Sequence, residues 1–340
     1  MMDYLVDHEC PWSEITCEEA AKKGDLDTLK WLHENGCPWD KRTILVAARY
    51  QHMNVLKYAH KNGCEWHEET VRLAAENGHM ELLRYAHEKG CPLGMTGCSV
   101  AAACGHLDVI IWLLLHGCPW ECLFEGKACT AAARNGHLEV LKWLEENGCP
   151  PMTWDNNTCR DAASGGHLDV LKYATECGIL WHTEGDICLE AATNGHLGTF
   201  KFASEQKGFT WSKKNCSEAA AKGHLEVVKL AHENGCPWDH FICSSAALYG
   251  HLNVLKYAHE KGCQWDSSTC QFAAGFGYLD ILKYAHENGC PWDKWTCHDA
   301  ARSGHLEALK YAHENGCPLP LKADTCSSAA MQGCLNIVQY

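Results

Sequence analysis

Apolar residues fall along this chain in a pattern that returns with nearly constant phase. A small pair, Ala-Ala, is followed by Gly-His and then by the Leu, Val and Leu of segments such as HLEVLK; polar residues then run to the next Gly-Cys-Pro-Trp. Aligned on the GHL block, the anchors are Gly24, Gln51, Gly78, Gly105, Gly136, Gly166, Gly195, Gly223, Gly250, Gly277, Gly304 and Gly333. Their spacing is mostly 27, stretching to between 28 and 31 in the middle and to 29 at the end. One unit reads approximately C-P-W-D-x-x-T-C-x-x-A-A-x-x-G-H-L-E-V-L-K-Y-A-H-E-N-G. A period of this length marks a repeat architecture, in which length no longer counts domains. The expected organisation is one array over 1–340, about eleven full units with a partial unit at the C-terminal end.

Each unit predicts two short helices. The first is expected to start at the Thr, whose hydroxyl can cap exposed N–H groups, with Thr16 and Glu19 at capping-box spacing. It carries the Ala-Ala pair, small enough for neighbouring helices to approach closely, and stops near the GH glycine. The second runs through LEVLKYAHEN, with an acid near its start, a Lys three residues later, and a glycine at its end that can take the left-handed conformation. Helices this short are marginal alone, because nucleation is costly. Stacking gives each unit the faces of its neighbours, which predicts a solenoid of about a dozen layers.

The block GHLEVLKYAHENGC resembles the second helix and turn of ankyrin repeats, and TCxxAAxxGHL occupies the place of their TPLHxAAxxGH segment. The resemblance covers essentially the whole chain. It implies an all-α, ankyrin-like helix-turn-helix solenoid, with shortened loops and fingers because the usual unit of 33 residues is about six longer. The Pro and His of TPLH are missing at most copies, and Cys follows Thr instead. The short C-P-W-rich form looks most like the ankyrin-repeat sets of giant DNA viruses and of some algae and oomycetes. Kinship implies a non-catalytic scaffold or adaptor that binds another protein on a concave face. Related arrays often serve as substrate receptors joined to an F-box, so the recognition part of a ubiquitin-ligase adaptor is an alternative implied in the same way.

Composition narrows this reading. With 46% hydrophobic and 21% charged residues the chain is expected to fold. The start, MMDYLVDHEC, lacks a basic and apolar leader, and no run reaches the roughly 18 apolar residues of a membrane helix, so a soluble cytoplasmic protein without membrane partners is expected. A net charge of −14 with neutral His disfavours nucleic acid, whose phosphates need a basic footprint, and favours a neutral or basic protein partner. No metalloprotease, phosphate-loop, nucleophile-elbow or dinucleotide motif is present, and no enzymatic activity or cofactor is expected.

The cysteines offer the competing chemistry. Of 24, twenty recur at two positions, one after the glycine that ends the second helix and one at the start of the first helix. With the GH and YAH histidines they suggest a Cys2His2 layer in every unit, and hence a metal- or redox-responsive array. Four units argue against it, because one Cys of the C-x6-C pair has become apolar while the other persists: Cys37 with Ile44, Cys64 with Val71, Ile179 with Cys188, and Phe209 with Cys216. A snug apolar environment in which Cys acts as a small hydrophobe accounts for this, and no metal site is expected. The Trp of CPW, as at Trp39, Trp238, Trp265 and Trp292, is expected to cover the loop end of the core, and the recurrent histidines to cap and to bridge repeats.

Recognition is left to the positions that vary between copies: two before the Thr, two after its Cys, and two before the GH glycine. Phe241, Tyr249, Phe272, Phe276 and Trp295 occupy such positions in three consecutive units, and exposed aromatics grouped on one face are common interface anchors. Arg42 and Tyr50 form a thinner second candidate. Longer central loops, 121–130 and 150–159, carry Phe124 and Trp154 and are expected to protrude as fingers. The half-units at the two ends are in complementary phase, which suggests weak head-to-tail self-association.

Overall fold

The first helix of a hairpin buries four positions and the second buries three. In the helix Lys41–Arg49 these are Thr43, Ile44, Ala47 and Ala48; in Met53–Lys61 they are Val55, Leu56 and Ala59. The same offsets recur at Thr269, Cys270, Ala273 and Ala274 and at Ile281, Leu282 and Ala285. Spacings of one and four residues put each set on one side of its helix. Alanine at two of the four positions lets successive first helices pack closely.

A computed structural model describes residues 12–67, 69–119, 127–147, 156–179, 186–206, 209–319 and 329–339, and among these every regular element is an α-helix. The chain divides into two compact units, Met1–Thr158 and Cys159–Tyr340. In the first, Glu14–Lys23 pairs with Leu26–Glu34, Lys41–Arg49 with Met53–Lys61, Thr70–Glu76 with Met80–Glu88, Gly97–Cys104 with Leu107–Leu115, and Lys127–Arg134 with Leu138–Glu146. In the second, Asp186–Thr193 pairs with Leu197–Ser204, Lys213–Ala221 with Leu225–Glu233, Phe241–Leu248 with Leu252–Glu260, Ser267–Gly275 with Leu279–Glu287, and Lys294–Arg302 with Leu306–Glu314. Within each unit, first helices pack on first helices and second helices on second helices, as a helical-repeat solenoid requires. The expected fingers around Phe124 and Trp154 lie outside the described residues.

The cap is not the threonine. In three hairpins the Asp of CPWD-type loops caps the first helix: Asp40 accepts from Arg42 N at 2.8 Å, Asp266 from Ser268 N at 3.1 Å and Asp293 from Trp295 N at 2.9 Å. In two others the cap is Ser13 or Ser212, and the residue three later closes the box: Thr16 Oγ1 accepts from Ser13 N at 3.4 Å, and Asn215 Oδ1 from Ser212 N at 3.0 Å. The box is therefore Ser13 with Thr16, and Glu19 takes no part in it. The Thr sits one turn inside the helix, where its methyl group faces the core, and Thr43 and Thr269 bury their hydroxyls without a partner.

Glycine is required where the first helix turns into the second. Gly24 has φ +71°, Asp25 N donates back to Ala20 O at 3.1 Å, and Gly24 N donates to Ala21 O at 3.2 Å, the double bond pattern of a left-handed helix stop. Space matters as much as φ. A Cβ on Gly24 would meet the His52 ring of the next hairpin at 2.5 Å. That ring lies over the glycine and donates from Nε2 to Lys22 O at 3.1 Å; because the acceptor is a carbonyl, the Nε2–H tautomer is fixed. His106 to Glu76 O, His224 to Thr193 O and His251 to Ala221 O repeat the bond at 3.0–3.1 Å. The expected role of the GH histidines in bridging repeats is thus a reach-back clasp. Gln51 stands at the glycine position of its hairpin with φ +67°.

Three substitutions test these local geometries, all read by chemical denaturation. Asp266→Ala should cost about 1 kcal/mol through the lost cap, whereas Thr269→Val should leave stability unchanged or raise it by up to about 1 kcal/mol, since an unpartnered buried hydroxyl is removed. Gln51→Gly should stabilise the protein by about 1 kcal/mol, because it relieves a left-handed backbone that only glycine adopts without strain.

Candidate partner-binding face

Where the buried offsets point inward, the opposite offsets point out. On each first helix the outward stripe runs i, i+4, i+8, which on a helix of 3.6 residues per turn forms one nearly straight row. In the second unit four such stripes lie side by side on successive first helices: Lys214, Glu218 and Lys222; Phe241, Ser245 and Tyr249; Ser268, Phe272 and Phe276; Trp295, Asp299 and Ser303. All five aromatic candidates of that region fall on this grid. Phe241, Tyr249, Phe276 and Trp295 are between 48% and 57% exposed. Phe272 differs: it lies in the middle row and is half-buried. Trp295 also meets His298 edge-on at 5.3 Å between ring centres and carries the Lys294 ammonium 5.2 Å from its ring centre.

Arg42 and Tyr50 occupy the corresponding stripe in the first unit, with Val46 between them. Tyr50 is 45% exposed. The two border a hollow of about 280 Å³ shared with Glu18, Glu19, Lys22 and Arg49. Arg42 is engaged within it, its Nε lying 3.2 Å from Glu18 and 2.9 Å from Asp40. This site is charged and internally paired.

The cysteines meet in a different register from the one their sequence spacing suggests. Cys17 Sγ lies 3.5 Å from Cys37 Sγ, and Cys98 Sγ 3.3 Å from Cys118 Sγ, twenty residues apart and within one hairpin. In this register the apolar replacements are Ile44 opposite Cys64 and Val71 opposite Cys91, so the argument from substitution survives while its partners change. The loop thiol also has a directed role. Cys64, Cys263, Cys290 and Cys317 donate to the carbonyls of Asp40, Asp239, Asp266 and Asp293 at 3.1–3.3 Å, tying the end of each hairpin to the residue that opens it. Burial pushes the Cys64 and Cys91 thiols up to about 11 and those of Cys17 and Cys188 up to about 12. A thiol held protonated at neutral pH is a poor nucleophile and a poor metal ligand.

The imagined Cys2His2 layer is not assembled, since its histidines are occupied elsewhere, and among the described residues no three of His, Cys, Asp and Glu gather as a metal-holding group. The YAH histidines stack on the Trp of the following loop, as in His33 on Trp39, His232 on Trp238, His259 on Trp265 and His286 on Trp292, at 3.7–3.9 Å between ring centres. Each of these Trp rings then meets the Tyr of the next hairpin edge-on, for example Trp265 with Tyr284 at 6.4 Å. The tryptophans are half-buried rungs between hairpins, which is how they cover the loop end of the core.

With this geometry in place, comparison with known proteins is direct. The family model for ankyrin repeats, in three copies, matches residues 71–155. Over those residues the chain is similar to ankyrin repeats. No curated protein matches the chain. Of the 139 solved chains that match, one is the crystal structure of the human ASB11 ankyrin repeat domain, 19% identical, with a TM-score of 0.40 over 48% of this chain and 84% of that one. Within the matched residues the corresponding positions of the Gly97–Cys104 hairpin are Thr96, Val100 and Cys104, without an aromatic residue, and Leu73 of the hairpin before it is buried rather than outward. Arg72 there is held by Glu69 at 3.3 Å and Glu76 at 2.9 Å. Among the described residues the exposed aromatics are grouped in the second unit, whereas the first unit has Tyr50.

Sequence reasoning overlooked Lys214 and Lys222. They stand 27 residues before Phe241 and Tyr249 and so share their rows, a relation the repeat alignment already contained.

The raised thiols set a pH dependence. Unfolded, a thiol loses its proton near its ordinary value of 9, while Cys64 and Cys91 hold theirs to about 11 and Cys17 and Cys188 to about 12; in the pairs Cys216–Cys236, Cys243–Cys263 and Cys297–Cys317 the hydrogen bond between the thiols raises the first and lowers the second. The folded state then binds more protons, so stability is full below about pH 9 and declines as pH rises toward the folded values. Burial also raises Tyr58, Tyr85, Tyr257, Tyr284 and Tyr311, with the same sign. Thermal unfolding followed by circular dichroism under reducing conditions should show a level Tm to about pH 8.5 and a steep fall above it; a level Tm to pH 11 would contradict the assignment.

Proposed function

We propose that the chain is a non-catalytic protein-binding array whose contact surface is the first-helix face of the second unit. Ankyrin repeats generally mediate protein–protein interaction, and their fold is typically a non-catalytic module. The observation that carries the finer reading is the exposure of Phe241, Tyr249, Phe276 and Trp295 together on one grid of outward positions. Large apolar rings cost free energy in water and recover it when a partner covers them, which makes grouped exposed aromatics effective anchors. The recurrent histidines, loop cysteines and loop tryptophans of the described hairpins are engaged in holding hairpins together. The second cluster, Arg42 and Tyr50, adds a polar contact of its own at the hollow beside Glu18. No described helix is long and apolar enough to cross a membrane.

Crosslinked capture from cell lysate tests the reading. Wild type is compared with a variant carrying Ala at Phe241, Tyr249, Phe276 and Trp295, after circular dichroism has shown both to be folded. Phe272 is left in place because its half-buried ring also packs. A partner retained by wild type and reduced at least tenfold in the variant is expected, the loss of two or more anchors at about 1–2 kcal/mol each. Equal capture would remove the aromatic face from consideration.

A further inference from the structure

The net charge of the chain favours a neutral or basic partner, yet the charges on the aromatic face are arranged the other way. Its carboxylates are already used. Asp239 accepts from Lys213 Nζ at 2.9 Å and from Phe241 N at 3.1 Å. Asp266 and Asp293 cap the next two helices, and Asp293 also accepts from Ser267 at 3.1 Å. Asp299 is held by Gln271 at 2.8 Å and by His298 at 3.0 Å. Glu218 alone stays exposed without such a partner, and on its own stripe it lies between Lys214 and Lys222.

The cations are not used in this way. Lys214 and Lys222 stand on one side of the aromatic stripes, at the two ends of the Lys213–Ala221 helix, and neither forms an ion pair among the described residues. On the other side Arg302 is exposed and unpaired, and Lys294 leans on the Trp295 ring at 5.2 Å without a carboxylate. The rings are therefore flanked on both sides by cations whose charge is directed to solvent. Charges elsewhere on the chain contribute little at this face, because the potential of an exposed charge is largely screened beyond about 8 Å at physiological salt.

We infer that the aromatic face takes an acidic segment of a partner protein, one in which Asp or Glu side chains flank bulky apolar anchors. The inference rests on the protein-binding reading above and adds the class of partner. Apolar side chains of the segment fill the space over Phe241, Tyr249, Phe276 and Trp295, and its carboxylates meet Lys214 and Lys222 at one edge and Lys294 and Arg302 at the other. A basic segment would instead find Asp239, Asp266, Asp293 and Asp299 already hydrogen-bonded, only Glu218 and, one hairpin away, Glu190 open among the described carboxylates, and would bring its charge against four cations.

The probe is a random dodecapeptide display library selected on the immobilised full-length chain. Enriched peptides are synthesised with a fluorescein label and titrated by anisotropy against wild type, the aromatic-to-Ala quadruple variant, and a Lys214→Glu, Lys222→Glu, Arg302→Glu triple variant, each confirmed folded by circular dichroism. Peptides rich in Asp and Glu beside apolar residues are expected. The triple variant should bind them roughly tenfold or more weakly at low salt, with the difference shrinking in half-molar salt. Peptides that require the aromatics but are basic or uncharged, or binding unchanged in the triple variant, would overturn the acidic class and leave the protein-binding face standing. Peptides indifferent to the aromatic variant, or no enrichment at all, would overturn both.

Discussion

Each helix in this molecule depends on burial against the next hairpin. Eight or nine residues supply too few backbone hydrogen bonds to repay helix nucleation in water. What holds them is the removal of one stripe per helix from solvent, Thr-Cys-x-x-Ala-Ala on the first and Val-Leu-x-x-Ala on the second. Alanine keeps the first helices close enough for the stripe to close. Burial of one side then frees the opposite side, and the outward i, i+4, i+8 positions can change from copy to copy without disturbing the stack.

Directional bonds lock that stacking at its edges. Beside the turn, a histidine lies over a glycine that has no Cβ to obstruct it and bonds a carbonyl of the preceding hairpin. On the side of the second helices, His, Trp and Tyr rings interlock from one hairpin to the next, with Lys256 and Lys283 ammonium groups 5.3 Å and 5.6 Å from the rings of Tyr284 and Tyr311. Such contacts have strict geometry, which explains why His, Gly and Trp recur so regularly. Residue types that elsewhere carry metal or acid–base chemistry serve here as fasteners, and the buried thiols act as short-range donors to the loop backbone.

Charge shows the difference between a sum and an arrangement. The total of −14 counts every carboxylate alike, whereas three of those on the aromatic face, Asp239, Asp266 and Asp293, accept hydrogen bonds at helix starts. A capped or paired carboxylate keeps its charge but has part of its hydrogen-bonding capacity taken by the fold. Uncommitted lysines and an arginine beside exposed rings then define the local character of the surface.

Much of this was legible in the residues themselves. The period, the two helices per unit, the glycine stops and the outward variable positions all follow from local pattern, because each depends on residues within one or two turns of one another. The grid that carries Phe241, Tyr249, Phe276 and Trp295 was legible for the same reason. Contacts between elements were not. Cys98 meets Cys118 twenty residues away, while Cys91 is only seven away in sequence, because the closing loop returns to the start of its own hairpin. Asp, and not Thr, caps the first helix, because backbone direction at the loop decides which side chain reaches the open N–H groups. Phe272 is half-buried although it shares a stripe with the exposed Phe276, a difference the stripe pattern alone does not contain. Periodicity in sequence fixes which side of a helix a residue takes; only the packing of one helix against another decides what it touches there.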